Sequence, residues 1–171
     1  MFSVGDTIVY ENTGVCRIVG ISTLQGMSDV DRHRQYYVLA PIYLQEKIYV
    51  PVDSDRNFMR PVLSKEEANA LIDAIPSMHA EIYQGENLQD LTEHYRDLLM
   101  RHDCASLIEL TMSIYQKRIA LHQQKRKFGQ TDEQYLKRGE DLLFGELAYA
   151  LGIDRASVRE YIENRINRKA E

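Results

Sequence analysis

The sequence predicts an α+β protein with two domains, a small antiparallel β-barrel followed by a compact all-α helical domain. Up to residue 62, short β-branched and aromatic segments alternate with turn residues, which is typical of an antiparallel β domain. From residue 63, apolar residues recur at helical spacing almost to the end of the chain. We therefore expect domains at 1–62 and 63–171, since 171 residues suffice for two small domains.

Five short strands are predicted in the first domain. They cover residues 7–10, 15–23, 35–40, 47–52 and 57–62. A tight turn is expected at Asn12 and Gly14, because both residues tolerate a positive φ, and the polar residues 26–34 predict a loop. The second strand shows a regular period-two alternation as far as Ile21. Short strands joined by close turns favour a barrel.

A capping box opens the helical domain. Ser64 lies three residues before Glu67, a spacing at which the two side chains bind the free N–H groups of a helix N-terminus. The helix is predicted to run through about Ala74, because Pro76 ends it.

Further helices are predicted from Leu88 onward. Their apolar stripes contain Leu91, Tyr95, Leu98 and Leu99, then Leu107, Leu110, Ile114, Tyr115 and Leu121, then Tyr135, Leu142, Leu143, Leu147 and Leu151. Thr131 is expected to cap the helix that Gly152 ends, and Asp154 or Ser157 to begin the last helix.

The charge distribution restricts where nucleic acid could bind. The net charge of −5 excludes a generic binder with a basic surface all round. Residues 63–110 carry three Lys/Arg against ten Asp/Glu, whereas residues 111–138 carry seven against two. Any DNA contact is therefore expected from the single basic block in 111–138.

Composition favours a cytoplasmic protein with no membrane contact. No apolar run approaches the roughly 18 residues of a membrane span, and the N-terminus lacks the pattern of a secretory signal. Cys16 and Cys104 fall in different predicted elements, which favours two reduced, packed thiols over a disulfide.

Catalytic and metal-binding signatures are absent from the sequence. The five histidines are scattered, and His102 with Cys104 lacks a second pair at zinc-ligand spacing. No nucleophile elbow, Walker loop, dinucleotide fingerprint or H-E-x-x-H pattern occurs. We expect neither enzymatic activity nor a metal, a cofactor or a small-molecule substrate.

Several short motifs, in order, resemble those of one family. Residues 2–10 (FSVGDTIVY), Gly14-Val15 and Ile18 resemble the opening of the CarD/CdnL/TRCF-type RNA-polymerase-interacting domain. Later matches are residues 36–39 (YYVL), 50–52 (VPV) and 59–62 (MRPV), and residues 145–148 (GELA) resemble a helical motif of stand-alone CarD proteins.

The resemblance implies a Tudor-like barrel that binds the β subunit of bacterial RNA polymerase. It also implies a helical domain that contacts promoter DNA upstream of the melted −10 region and modulates open-complex stability, without catalysis. One departure is clear: the family's Trp, which wedges into the minor groove, has no counterpart because the chain contains no Trp. Tyr83 is the aromatic residue nearest that position.

Candidate polymerase-binding residues lie on or near strands that could add a partner strand at an exposed sheet edge. They are Arg17, Leu24, Tyr37, Ile48, Tyr49 and Val50. The alternative for each is an ordinary place in the sheet core. An exposed edge also allows a strand-swapped homodimer.

Candidate DNA-binding residues are Tyr83, as a wedge, and the basic block. The block consists of Lys117, Arg118, Lys125, Arg126 and Lys127. Such a stripe could bind successive phosphates of DNA. It could instead be a solvated helix face, because the helix dipole stabilises cations near a helix C-terminus. Tyr83 could instead pack between two helices. The acidic helical domain could also bind another protein instead of DNA, which would make the chain an adaptor, bound to polymerase or free.

Overall fold

A computed structural model describes residues 1–24 and 33–171. Its chain divides into two compact units, Met1–Val62 and Leu63–Glu171, which are described separately below. The loop predicted at 26–34 falls almost entirely on residues 25–32, outside the described residues.

The first unit contains one antiparallel sheet of five strands. The strands are β1 (Thr7–Tyr10), β2 (Gly14–Thr23), β3 (Gln35–Pro41), β4 (Ile48–Pro51) and β5 (Met59–Pro61). They are ordered β4-β3-β2-β1-β5. The α+β class is thus confirmed, but the expected closed barrel is not found, because no pairing of the described strands joins β4 to β5.

The Gly-Asp pair near the N-terminus fixes the start of the chain against β2. Gly5 has a φ of +97°, which favours glycine. Its N–H donates to the carbonyl of Ile18 at 2.8 Å, and the N–H of Ile18 donates to the carbonyl of Asp6 at 2.9 Å. The Asp6 carboxylate accepts the N–H of Ser3 at 2.8 Å. These contacts give a physical reason for the Gly-Asp of the opening motif.

One face of the sheet forms the core of this unit. Its fully buried members are Ile8, Cys16, Ile18, Tyr37, Leu39 and Val50. Burial raises the pKa of the Cys16 thiol to about 11, with the Glu46 charge as a smaller cause. The alternation predicted for β2 is seen from Arg17 to Ile21, where exposed Arg17, Val19 and Ile21 alternate with buried Ile18 and half-buried Gly20, although the pairing with β3 shifts register between Ile18 and Gly20.

The second unit consists of helices packed around one apolar core. The α-helices are α1 (Lys65–Ala74), α2 (Leu88–Leu99), α3 (Cys104–Gln123), α4 (Gln130–Leu151) and α5 (Val158–Ala170), and short 3-10 turns cover Ile75–Ser77 and Arg155–Ser157. No helix among the described residues is long and apolar enough to cross a bilayer.

Helix ends follow the sequence signals in most cases. The capping box is confirmed, since the Ser64 hydroxyl accepts the Glu67 N–H at 3.0 Å and the Glu67 carboxylate accepts the Ser64 N–H at 2.7 Å. Gly152 ends α4 at a φ of +68°. The cap predicted at Thr131 is wrong: α4 begins at Gln130, after Gly129, so Thr131 lies inside its first turn.

A buried carboxylate ties three parts of the helical unit together. Glu146, in the middle of α4, is only 2% exposed. One of its oxygens accepts the Leu63 N–H at 3.2 Å, and the other accepts the Cys104 thiol at 3.0 Å. The acidic residue of the GELA motif therefore joins α4 to the start of α3 and to the segment entering α1.

Candidate functional site

The outer edge of β4 offers few backbone N–H and C=O groups to which a partner strand could bond. The Val52 N–H donates to the Gln35 carbonyl at 3.0 Å, so this opposed pair is hydrogen-bonded. Bonded and non-bonded pairs alternate along an antiparallel ladder, and the register pairs Val50 with Tyr37 and Tyr49 with Val38. The backbone of Val50 therefore faces β3, whereas the N–H and C=O of Tyr49 face outward.

Prolines restrict both outer edges of the sheet. Pro51 pairs with Tyr36, so the N–H that proline lacks would have faced outward from β4. Pro61 pairs with Ile8 on β1. The Glu11 N–H donates to the Phe58 carbonyl at 3.1 Å, so by the same alternation Pro61 falls at a non-bonded position, and the N–H that it lacks would have faced outward from β5. On β4, the Tyr49 N–H is therefore the donor available to a partner, because the backbones of Ile48 and Val50 on either side of it face β3.

The predicted polymerase-binding residues divide into exposed and buried groups. Tyr49 is 46% exposed and Ile48 is half-buried, whereas Val50 is 1% exposed and Tyr37 is 4% exposed. The Tyr37 hydroxyl donates to the Phe2 carbonyl at 3.1 Å, and its strand is covered by neighbours on both sides. Tyr37 and Val50 are thus core residues, and Tyr49 is the member of this group whose side chain and outward backbone are both accessible.

Arg17 lies on the same face of the sheet as Tyr49. It pairs with Ala40, which is two residues from Val38, the partner of Tyr49. Arg17 is exposed. Leu24 follows the end of β2 and is half-buried, and the residues after it lie outside those described.

The connection between β3 and β4 exposes apolar side chains that the sequence prediction did not include. Ile42, Tyr43 and Leu44 are three successive exposed hydrophobic residues. The Ile42 N–H donates to the Val15 carbonyl at 3.0 Å, which holds the start of this connection against β2. A run of apolar residues beside a proline, between two strands, was the signal that could have identified them.

The basic block contains one residue that serves the interior of the helical unit. The ammonium of Lys117 lies 2.9 Å from the carboxylate of Asp132, which is 4% exposed. That carboxylate also accepts the hydroxyl of Tyr95 at 2.7 Å. Burial, followed by the hydrogen bond to Asp132, raises the pKa of Tyr95. Lys117 thus compensates a buried charge instead of facing solvent.

The other basic residues lie on the surface near the end of α3. The guanidinium of Arg118 stands 4.8 Å from the ring centroid of Tyr115 and 5.8 Å from that of Phe128. Lys125, Arg126 and Lys127 are exposed in the connection to α4.

Lys125 ends α3 in a left-handed conformation. Its φ is +55°, and its N–H donates to the His122 carbonyl at 3.0 Å, while the Arg126 N–H donates to the Leu121 carbonyl at 2.8 Å. This is a Schellman ending, whose left-handed position usually holds glycine.

Tyr83 is held in place by its neighbours. Its ring stacks on that of His94, with the centroids 3.8 Å apart and the planes 7° apart. Its hydroxyl donates to the carboxylate of Asp90 at 2.9 Å. The hydrogen bond to Asp90 is the largest cause that raises the pKa of Tyr83, ahead of desolvation and nearby acidic charges. The observed position corresponds to packing beside α2, and wedging would require these contacts to break.

Metal ligands do not converge in the described part of the chain. Within residues 1–24 and 33–171, no group of three or more His, Cys, Asp or Glu side chains is placed to hold an ion. Cys16 and Cys104 are buried thiols that form no disulfide with each other, one in each unit.

Comparison with known families identifies the first unit. Residues 2–63 match the family model described as the CarD-like/TRCF RID domain. No curated protein gives a significant match to the chain. The matched residues include the Gly-Asp turn and all five strands, which accords with the resemblance of the sequence motifs. Residues 2–63 thus match a CarD-like/TRCF RNA-polymerase-interacting domain, and this match supports an RNA-polymerase-interacting, transcription-related protein.

Proposed function

We propose that the chain is a non-enzymatic CarD-like transcription regulator that docks on the β subunit of RNA polymerase through the edge of β4. The observation that carries this proposal is the outward amide of Tyr49 beside an exposed aromatic ring. A partner strand can bond to this amide, while side chains provide specificity. The exposed Ile42, Tyr43 and Leu44 add apolar contact area close by in the chain.

The β5 edge is the weaker candidate for docking. It has three residues, of which Pro61 lacks an outward N–H. The β4 edge is longer, and it follows a connection with exposed apolar residues. Exposed apolar side chains beside a polar rim are typical of protein interfaces.

The docking proposal is tested by replacing Tyr49 with proline. Tyr49→Pro removes the outward N–H but no bond to β3, because the Tyr49 backbone faces away from that strand. We expect binding to the isolated β subunit to weaken by about tenfold or more, which corresponds to the loss of a hydrogen bond and its paired strand contacts. Binding is measured by biolayer interferometry.

A matched control separates the backbone from the side chain. Tyr49→Thr keeps the N–H and introduces a β-branched side chain suited to a strand but loses the ring, so it should retain more affinity than Tyr49→Pro. Equal affinity of Tyr49→Pro and the wild type, with an unchanged melting temperature, would contradict strand addition at this edge.

We further propose that the helical unit contacts promoter DNA upstream of the melted −10 region through Arg118, Lys125, Arg126 and Lys127. These side chains are exposed near the end of α3. Contacts made only in the open complex would shift the equilibrium toward it. Lys117 and Tyr83 are not proposed to contact DNA, because their polar groups bind Asp132 and Asp90 respectively.

The DNA contact is tested by the lifetime of open promoter complexes. Arg126→Gln with Lys127→Gln should shorten the lifetime relative to the wild-type regulator. The dependence of DNA binding on salt concentration should also become shallower, by the amount expected for the loss of about two phosphate contacts. Lys137→Gln is the matched control, because Lys137 is exposed but pairs with Asp141 on α4. An unchanged lifetime on adding the wild-type protein would refute the DNA contact.

A second candidate is an adaptor whose helical unit binds another protein. It is favoured by the position of Tyr83, whose ring stacks on His94 in an acidic part of the chain. In that case the regulator would bind polymerase without any change in open-complex lifetime.

A further inference from the structure

A cavity of about 370 Å³ opens on the helical unit between α2, α3 and the extended segment that precedes α2. Its walls come from three places: α2 contributes His94 and Leu98, α3 contributes Glu109 and Ser113, and the extended segment contributes the rest. The residues on each helix are four positions apart and so share a face.

An aromatic pair forms one wall of this cavity. Tyr83 and His94 line it as a stacked pair. The wall is fixed, because Asp90 accepts the Tyr83 hydroxyl and also accepts the Glu86 N–H at 3.0 Å. Aromatic faces attract cations, and the attraction strengthens when the cation is removed from water.

The charged groups that line the cavity are acidic. Glu81 and Glu109 are exposed at its walls beside two histidines, and no Lys or Arg among the described residues lines it. The guanidinium of Arg101, in the turn between α2 and α3, lies 3.7 Å from the carboxylate of Glu109. Both side chains of this ion pair are about half exposed. The aromatic wall also lies near acidic groups: the hydrogen bond to Asp90, then desolvation and the charges of Asp90, Glu86 and Glu93, raise the pKa of Tyr83.

We propose that this cavity binds an arginine side chain carried by a basic segment of a partner protein. A guanidinium can stack on an aromatic wall and bond to carboxylates in the same plane. The charge of the surrounding chain is complementary, since residues 63–110 have a net charge of −7. The inference is independent of docking at β4, which involves the other unit.

The proposal is tested by titrating the isotope-labelled full-length chain with acetyl-Gly-Arg-Gly-amide and following its NMR signals. The signals of His79, Tyr83 and His94 should shift and saturate. The matched peptide with citrulline in place of arginine has nearly the same shape but no charge, and should bind at least tenfold more weakly. Equal binding of the two peptides, or no shifts at these residues at saturating peptide concentrations, would overturn the proposal.

Variants with opposite expected effects guard against simple unfolding. Glu81→Gln and Glu109→Gln should each weaken binding by fivefold or more, because each removes a carboxylate from the wall. Arg101→Gln should tighten binding about twofold, because it leaves Glu109 to the ligand, an exposed ion pair contributing little by itself. Glu160→Gln, an exposed acid on α5, changes the net charge equally and should leave affinity unchanged. If Glu160→Gln weakens binding as much as Glu81→Gln, the attraction is general and the site is refuted.

Discussion

At the scale of single residues, buried polar side chains give the helical unit its specific contacts. Glu146 accepts a backbone N–H and a thiol, while Asp132 accepts Lys117 and Tyr95. A buried acceptor that loses a partner leaves a desolvated group unsatisfied, which costs more than the bond itself contributes. These two carboxylates therefore make large contributions to the uniqueness of the packing.

Replacing Glu146 with Gln should lower the free energy of unfolding by about 1–3 kcal/mol. Gln presents a single acceptor oxygen, so either the bond from the Leu63 N–H or the bond from the Cys104 thiol is lost. Urea unfolding followed by far-UV circular dichroism measures the change. Glu140→Gln is a useful comparison because Glu140 is on the same helix but bonds to Arg159 nearer the surface. A Glu146→Gln variant as stable as the wild type would show that the carboxylate is dispensable.

At the scale of elements, the ends of helices show which sequence signals are local. The capping box was predictable because Ser64 and Glu67 bind each other's backbone within one turn. The start of α4 was not, because Gly129 precedes it without any side-chain cap and Thr131 lies within the turn. The left-handed Lys125 also gives no signal in the sequence, since lysine rarely adopts a positive φ.

Replacing Lys125 with Gly should raise the free energy of unfolding by about 0.5–1 kcal/mol, because glycine adopts the left-handed conformation without steric cost. Lys127→Gly removes the same charge from the same connection, and Lys127 is not among the residues with a positive φ, so it should not stabilise. Differential scanning fluorimetry distinguishes the two. Equal melting temperatures for both variants would contradict a strained ending of α3.

The candidate sites were partly predictable for similar reasons. The strand β4 followed from local composition, and Tyr49 lies within it as predicted, whereas its place at the edge of the sheet follows only from the strand order. Which of the neighbouring residues are buried depends on the ladder, as Val50 and Tyr37 show. Lys117 looked like part of a surface stripe because its partner Asp132 lies 15 positions further along the chain. The arginine cavity gave no sequence signal, since segments from three places form it.

At the scale of the whole molecule, ion pairs join the beginning and the end of the helical unit. Arg165 on α5 donates two bonds to Asp73 on α1, at 2.8 and 2.9 Å, and Lys169 lies 2.6 Å from the same carboxylate. The hydrogen bond to Arg165, followed by that to Lys169, lowers the pKa of Asp73 to about 2. These contacts close a long stretch of chain, because α1 and α5 are its first and last helices.

The stability that Asp73 contributes should therefore depend on pH. A carboxyl whose folded pKa lies below its ordinary value stabilises the fold above about pH 4, and this contribution is lost as the pH falls toward about 2. Asp73→Asn should lower the melting temperature near neutral pH and reduce its change between pH 4 and pH 2. Asp141→Asn, which removes an exposed ion pair within α4, should leave that acid dependence intact. Identical acid profiles for Asp73→Asn and wild type would exclude the linkage.

The prolines at the two outer strands have a consequence for the protein when no partner is bound. Within β4, two copies meeting along this edge would each offer a single outward donor, the Tyr49 N–H, because Pro51 has no N–H. A strand with one outward donor is a poor template for a filament, since growth of stacked strands requires successive donors and acceptors. The same arrangement that leaves one amide for a partner thus makes this edge a poor template for self-association of the unbound protein.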